Sequence, residues 1–326
     1  MGGRENRSST GSPREGLSDR GYWFVSKHGR HGQSGEECPV TATFLEHMPR
    51  AMGEARTKRR KLREIIASEP RCIYCLNAPT TIEHMPPISM FRARSRPNGM
   101  EFAACQDCNN RSSGADLVAA FLARLSQDER PEMLKEAGKL RDQMAKLAPG
   151  VIAEFFRPDK SHIGWYRTAG GIQRRMVKIN MDGPMTRAYL TVFAAKFGMA
   201  LYREHVGVAL PMDGGVQLKC FLNAGLAQQT GDGILAKLPV LGTLQQGVFV
   251  VRDQFAYRYN CDGKSIVAAL IGFNSNLHIF VVATSQPEFY NFPLFAPDFH
   301  FVRPGELTAL IPKIPRLAGV DTQSES

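Results

Sequence analysis

The chain has 326 residues, of which 41 are Lys or Arg and 31 are Asp or Glu, so its formal net charge at pH 7 is +10. A basic excess of this size favours a polyanionic partner, either nucleic acid or an anionic membrane surface, although it can also serve solubility alone. The longest apolar runs, such as residues 266–273, are far shorter than the roughly 20 residues of a membrane-spanning helix.

Residues 1–51 are rich in Gly, Ser, Arg and His and show no apolar periodicity. Because such a segment buries too little apolar surface to offset its chain entropy, we expect it to be disordered. Alternatively, it is a mis-annotated extension upstream of a true start at Met48 or Met52. It lacks the apolar core of a secretory signal, and cysteines in C-x2-C pairs suit a reducing compartment. We therefore expect a cytoplasmic protein.

A basic helix is predicted next, from Glu54 to Ser68. A run of Lys and Arg of this kind usually forms a solvated helix face. The run stands directly before a candidate nucleic-acid module, however, and could instead contact phosphates. The candidate contacts are Arg59, Arg60 and Lys61.

Two cysteine pairs with identical spacing, Cys72-x2-Cys75 and Cys105-x2-Cys108, follow this helix. Two such turns bring four thiolates to one tetrahedral zinc ion, which then has no open position and is structural. A disulfide or a thioredoxin-like redox site is the alternative, but a redox motif needs only one pair, and neither pair opens a βαβ unit. The spacing therefore predicts one structural zinc ion.

The segment between the pairs contains Glu83-His84-Met85-Pro86, and Asn109 follows the last cysteine. The pattern C-x2-C, E-H-x-P and C-x2-C-N resembles the HNH endonucleases of the ββα-metal superfamily, in the subset with a four-cysteine zinc. The resemblance covers about residues 71–125 and implies a small, treble-clef-like ββα-metal fold. It also implies that His84 is a general base and that Glu83 and Asn109 bind a catalytic Mg²⁺ or Mn²⁺.

The residue types suit that chemistry. A neutral imidazole with a reference pKa of about 6.5 can take a proton from water at physiological pH, and hard oxygen ligands suit Mg²⁺ or Mn²⁺. Two features depart from the family pattern: Glu83 stands where Asp is commoner, and the middle Asn of the motif has no secure match, Asn98 being the nearest. Asn110 could also cap the following helix, which would leave Asn109 purely structural.

Arginines surround the motif and could bind the DNA backbone, or could form only a solvated loop. These residues are Arg92, Arg94, Arg96 and Arg111. Together, the resemblance and the charge predict a metal-dependent endonuclease that hydrolyses phosphodiester bonds in DNA, with RNA left open. The alternative is a non-catalytic zinc module that binds nucleic acid or a protein partner. A purely structural knuckle would not require Glu83, His84 and Asn109, so their joint presence favours the enzyme.

Two further helices are predicted in the rest of the chain. The first is a polar helix from Pro131 to Leu147. The second has Asp182 as its N-cap and Pro184 in its first turn, and it ends at Gly207.

Strand-like runs follow, with a tight turn predicted at residues 261–264 because Asp-Gly tolerates a positive φ. The runs cover residues 216–222, 247–251, 255–259, 265–273 and 277–284. We therefore predict an α+β fold: a nuclease region over 52–150, with its core at 71–125, and a domain with an antiparallel sheet and an unknown role over 151–326.

Overall fold

The computed structural model describes residues 54–125, 131–167, 171, 173–222, 244–274, 276–288 and 299–312. Residues 52–326 form one compact unit. The predictions for residues 1–51 lie outside the described part of the chain. None of the described helices is long and apolar enough to cross a membrane.

The first part of the unit is a β-hairpin between two helices. Its strands pair antiparallel, so that Thr81 lies opposite Ala104 and His84 lies opposite Glu101. Two short 3₁₀ turns, Ile88–Met90 and Arg92–Arg94, occupy the connection between the strands. The elements are α1 (Glu54–Ser68), β1 (Thr81–His84), β2 (Glu101–Ala104) and α2 (Gln106–Arg124). The bounds of α1 agree with the prediction.

Helices and a second hairpin form the middle of the unit. The elements are α3 (Pro131–Leu147), α4 (Val151–Phe155), β3 (His162–Arg167), β4 (Gln173–Lys178) and α5 (Pro184–Val206). The bounds of α3 also agree with the prediction. The β3–β4 hairpin was not predicted, because its strands combine apolar, aromatic and charged residues without a clean alternation.

The N-cap of α5 is Gly183, not the predicted Asp182. Since glycine has no side chain to cap with, the carboxylate of Glu154 does so from α4. It accepts hydrogen bonds from the backbone N–H groups of Met185 (2.8 Å) and Thr186 (2.9 Å). Short-range capping rules cannot find such a cap, because the acceptor lies about 30 residues away in sequence. Gly207 ends the helix as predicted, with φ 88°.

A six-stranded antiparallel sheet forms the last part of the unit, in the order β10-β5-β9-β8-β7-β6. The strands are β5 (Gly215–Leu222), β6 (Gln245–Gln246), β7 (Phe255–Cys261), β8 (Ile266–Phe273), β9 (Leu277–Thr284) and β10 (His300–Val302). Helix α6 (Leu307–Leu310) follows. The mixed α+β class and the antiparallel sheet are confirmed, as is the turn between β7 and β8, where Gly263 has φ 71°.

The predicted strand over residues 247–251 is wrong. Val248 is 80% exposed, and the backbone N–H of Val251 bonds to the carbonyl of Phe255 at 2.9 Å in a local turn. Phe249 packs its ring against Gly99 in the connection between β1 and β2. These apolar residues therefore make turn and loop contacts, and a sequence pattern cannot distinguish such contacts from a strand.

Helix α5 lies at the centre of the core. Every residue from Tyr189 to Tyr202 is buried, because the helix contacts α2 as well as the sheet strands β5, β8 and β9. Gly198 allows the close approach to β5, since a Cβ there would lie 2.5 Å from Val216. One continuous hydrophobic core runs from Cys72 to Leu307. The division into two domains at residue 150 stays a prediction. Residues on both sides of that position contribute to the same hydrophobic core.

Candidate metal centre and active site

The four predicted zinc ligands come together at the base of the β1–β2 hairpin. Their sulfur atoms all lie within 4.8 Å of one another, and the Sγ atoms of Cys75 and Cys105 are 3.6 Å apart. Four thiolates at a Zn–S distance of 2.3 Å around a tetrahedral ion would be separated by about 3.8 Å. The cluster therefore has the donor set and the spacing for one zinc ion.

Hydrogen bonds from the backbone hold the cysteines in position. The N–H of Ile73 donates to Ala103 of β2 (3.0 Å), and the N–H of Cys72 donates to the carbonyl of Asn77 (2.8 Å). Cys105 is the N-cap of α2, and its sulfur accepts the N–H of Cys108 at 3.4 Å. Four thiolates would leave no coordination position for substrate, so the centre can serve structure and not chemistry.

His84 is the last residue of β1, and its side chain is accessible. The imidazole is 49% exposed, and its Nδ1 atom lies 3.4 Å from Oε1 of Glu101, directly across the hairpin. Partial burial, together with the nearby Arg96 and Lys61, lowers the pKa of His84, and Glu101 opposes this effect. Since an unperturbed histidine is already largely neutral at pH 7, this imidazole is available to accept a proton there.

Glu83 lies on the opposite face of β1, because consecutive strand residues alternate in direction. Its side chain is 4% exposed, and Oε2 lies 3.6 Å from the ammonium of Lys196 on α5. That ammonium donates to both carboxylate oxygens of Asp116 on α2, each at 2.8 Å. Burial raises the pKa of Glu83 to about 7, although Lys196 opposes the shift.

Lys196 is a buried charged residue beside the candidate site that sequence reasoning missed. Its side chain is fully buried, and although burial disfavours the ammonium, Asp116 and Glu83 outweigh it and raise the pKa of Lys196. The signal was present in the sequence: one lysine interrupts the apolar run at residues 192–201. A lysine at such a position is almost never fully buried without a carboxylate partner.

The side chain of Asn109, on α2, forms hydrogen bonds to β1. Its amide nitrogen donates to Oγ1 of Thr81 (3.1 Å) and to the carbonyl of Ile82 (3.4 Å). Both bonds use the amide nitrogen and not the amide oxygen, which is the atom that would bind a cation. Asn110 is not the helix cap, because α2 begins at Gln106 with Cys105 as its N-cap. Asn98 is exposed in the irregular connection between β1 and β2.

Some of the predicted phosphate-binding residues already form hydrogen bonds or ion pairs within the protein, and others have exposed side chains. Arg96 is engaged, since its guanidinium donates to the backbone carbonyls of residues 86, 97, 99 and 100. Arg111 pairs with Asp107 at 3.6 Å, the backbone N–H of Arg92 donates to Gln254 at 2.7 Å, and Lys61 pairs with Glu101. Arg60 pairs with Glu64 at 3.4 Å, and the side chains of Arg59 and Arg94 are exposed.

The structure therefore brings the four cysteines together and places Glu83, Asn109 and His84 around the same short hairpin. His84 is open to solvent, whereas Glu83 already has a cation for a neighbour. No protein-family model, no curated protein and no solved structure matches the chain.

Proposed function

We propose that the chain is a metal-dependent endonuclease of the HNH type that hydrolyses phosphodiester bonds in DNA. A zinc-clamped ββα unit carries its active site: the cysteine cluster ties the β1–β2 hairpin to the start of α2. The observation that carries the proposal is the exposed imidazole of His84 at the end of β1. The net charge of +10 supports a polyanionic substrate.

In this proposal His84 removes a proton from the attacking water. Glu101 favours the tautomer in which Nδ1 carries the hydrogen, because its carboxylate lies 3.4 Å from that atom. Nε2 is then the basic atom. Lys61, on α1, adds positive charge beside the imidazole, and its pairing with Glu101 places it on the same side of the hairpin. Such a charge attracts a phosphate to the base without taking part in proton transfer.

The metal part of the proposal concerns Glu83 and Asn109. Their carboxylate and amide oxygens are donors that Mg²⁺ or Mn²⁺ prefers, and such an ion, when bound, would stabilise charge on the phosphate. The ammonium of Lys196 competes for the same carboxylate, at 3.6 Å. Glu83 therefore does not fit a divalent ion as it is placed here.

That same contact favours a second candidate function, a zinc-stabilised module that binds nucleic acid without cutting it. If Lys196 permanently neutralises Glu83, the hairpin keeps its fold and loses one metal ligand. His84 and the exposed arginines of α1 would then contribute only to binding. Cleavage assays separate the two candidates.

The zinc-loaded protein should nick supercoiled plasmid when Mg²⁺ or Mn²⁺ is added, and His84→Ala should slow nicking by about 10²–10⁴-fold, the usual effect of losing a positioned base. Added imidazole should restore part of the rate, because it replaces the missing proton acceptor. Zinc content and DNA affinity should stay as in the wild type, since phosphate contacts come from Lys and Arg. Nicking by His84→Ala at the wild-type rate would rule out the mechanism.

Asn109→Ala should respond differently from His84→Ala. The rate should recover at a higher Mg²⁺ concentration, because the substitution removes a proposed ligand and leaves the base in place. Arg141→Ala is a suitable control, since Arg141 lies on α3 and, among the residues that the structure describes, pairs with its exposed neighbour Asp142 alone. A wild-type chain that binds DNA and never nicks it, with either metal, would favour the binding-only module.

A further inference from the structure

The β3–β4 hairpin forms a two-stranded sheet of its own, separate from the six-stranded sheet. A two-stranded ribbon is at best marginally stable in water. This one nevertheless exposes large apolar side chains: Ile163 is 59% exposed and Trp165 is 71% exposed. Being two residues apart on β3, they lie on the same face of the ribbon. An exposed tryptophan beside a second exposed apolar side chain is a feature that favours a binding role.

The hairpin is firmly held at its base. Asn180, just after β4, donates its backbone N–H to Phe155 of α4 (2.9 Å) and its side-chain amide to the carbonyl of Glu154 (3.3 Å). The hydroxyl of Ser161, just before β3, also donates to Phe155. Both ends of the ribbon are therefore attached to α4, the helix that caps α5.

The two strands are strongly basic. Among their twelve residues, six in each strand, four are Lys or Arg and none is Asp or Glu. The basic residues are Arg167, Arg174, Arg175 and Lys178. Arg175 pairs with Trp165 in the strand register. A basic ribbon with an exposed aromatic matches a polyanion whose units carry flat, stackable groups, and an apolar or acidic protein surface would satisfy only one of these features.

We propose that the β3–β4 hairpin binds single-stranded nucleic acid, with Trp165 stacking on an unpaired base and the strand cations neutralising phosphates. The inference shares its polynucleotide partner with the proposed function but does not depend on cleavage. Stacking on a tryptophan tolerates any base, because every base has a π-face. The ribbon therefore supplies affinity for unpaired segments without a sequence preference.

A cleft of about 1090 Å³ continues from the base of the hairpin. Lys160 and His162 line it on the hairpin side, and Arg187 and Lys219 line it on the side of α5 and β5. Its two acidic residues are already paired, Asp159 with Arg157 at 2.8 Å and Asp182 with Arg187 at 3.4 Å. The cleft thus places further basic side chains next to the base of the ribbon, where they can contact phosphates of a strand bound at Trp165.

The test is fluorescence anisotropy with labelled single-stranded DNA of about 20 nucleotides, longer than common single-strand sites, and with the matched duplex. The zinc-loaded full chain is used without added Mg²⁺ or Mn²⁺, and gels confirm that the DNA stays intact. Trp165→Ala should weaken single-strand binding by about 5- to 150-fold, whereas Trp165→Phe should retain most of the affinity. Arg167→Gln with Arg175→Gln, two positions that the strand register places on the face of Trp165, should reduce the salt slope by about 1.4.

The matched controls lie on α3. Leu134→Ala removes a side chain that is 58% exposed, and Lys135→Gln with Arg141→Gln removes two exposed charges; neither should change binding. The proposal is overturned if Trp165→Ala binds as the wild type does, if it weakens only duplex binding, or if it changes the sedimentation of the free protein instead, which would make the ribbon a self-association surface. If no plasmid is nicked and Trp165→Ala still weakens single-strand binding, the proposed endonuclease activity is wrong and the proposed binding role of the ribbon is supported.

Discussion

Cys105→Ser should release the zinc ion and destabilise the whole of residues 52–326. Cys105 is both a cluster ligand and the N-cap of α2, and serine is a better helix cap than cysteine. The substitution therefore preserves the helix cap and removes one thiolate. Any loss of stability then measures the contribution of the zinc ion. Structural zinc contributes about 10–16 kcal/mol of apparent binding free energy in small modules. We expect the melting temperature to fall by more than about 10 °C.

Elemental analysis of purified protein checks the zinc, with about one ion per chain expected in the wild type and almost none in the variant. Cys261→Ser is the matched control: Cys261 lies outside the cluster, and serine can still accept the hydrogen bond that Gly263 donates to it at 3.1 Å. Wild-type protein that is fully folded and free of zinc would contradict the prediction. The loss of stability should extend to the six-stranded sheet, because Cys72 and Cys108 belong to the same hydrophobic core as α5.

Lys196→Met should lower the free energy of unfolding by about 3–5 kcal/mol, the usual effect of removing one partner of a buried ion pair. Methionine has a similar length, so packing changes little. The substitution leaves Glu83 and Asp116 buried without their cation. Urea unfolding at pH 7.5 provides the measurement, and Lys146→Met, at an exposed position of α3, is the control.

Adding Asp116→Asn to Lys196→Met should recover part of the loss, because one of the two uncompensated carboxylates is then neutral. Added Mg²⁺ should also stabilise Lys196→Met more than the wild type if Glu83 and Asp116 can share a divalent ion once the ammonium is gone. A Lys196→Met protein as stable as the wild type would show that charge compensation is not what holds α5 against β1 and α2.

Short-range patterns predicted much of this fold. The charge run of α1, the polar helix α3 and the Asp-Gly turn at residues 262–263 each depend on neighbouring residues, and the structure has them where the sequence indicates. The cysteine cluster was also predictable, since the C-x2-C spacing constrains which sulfurs can meet.

Long-range contacts explain what the sequence did not predict. The cap that Glu154 provides for α5 and the pairing of Glu83 with Lys196 join residues far apart in the chain. The resemblance to HNH endonucleases assigned Glu83 to a metal, and a helix-capping rule assigned Asp182 to a cap; neither takes contacts with distant residues into account. The β3–β4 ribbon escaped prediction because its strands lack a clean alternation of apolar and polar residues.

The distance in sequence between Asp116 and its cation gives the protein an order of assembly during translation. All four cysteines and both carboxylates are synthesised before Lys196, which lies 80 residues after Asp116. At a translation rate of about 5–20 residues per second, the lysine follows Asp116 by about 4–16 seconds. A metal ion can therefore reach the four cysteines first, and Glu83 and Asp116 stay hydrated until α5 arrives to enclose them.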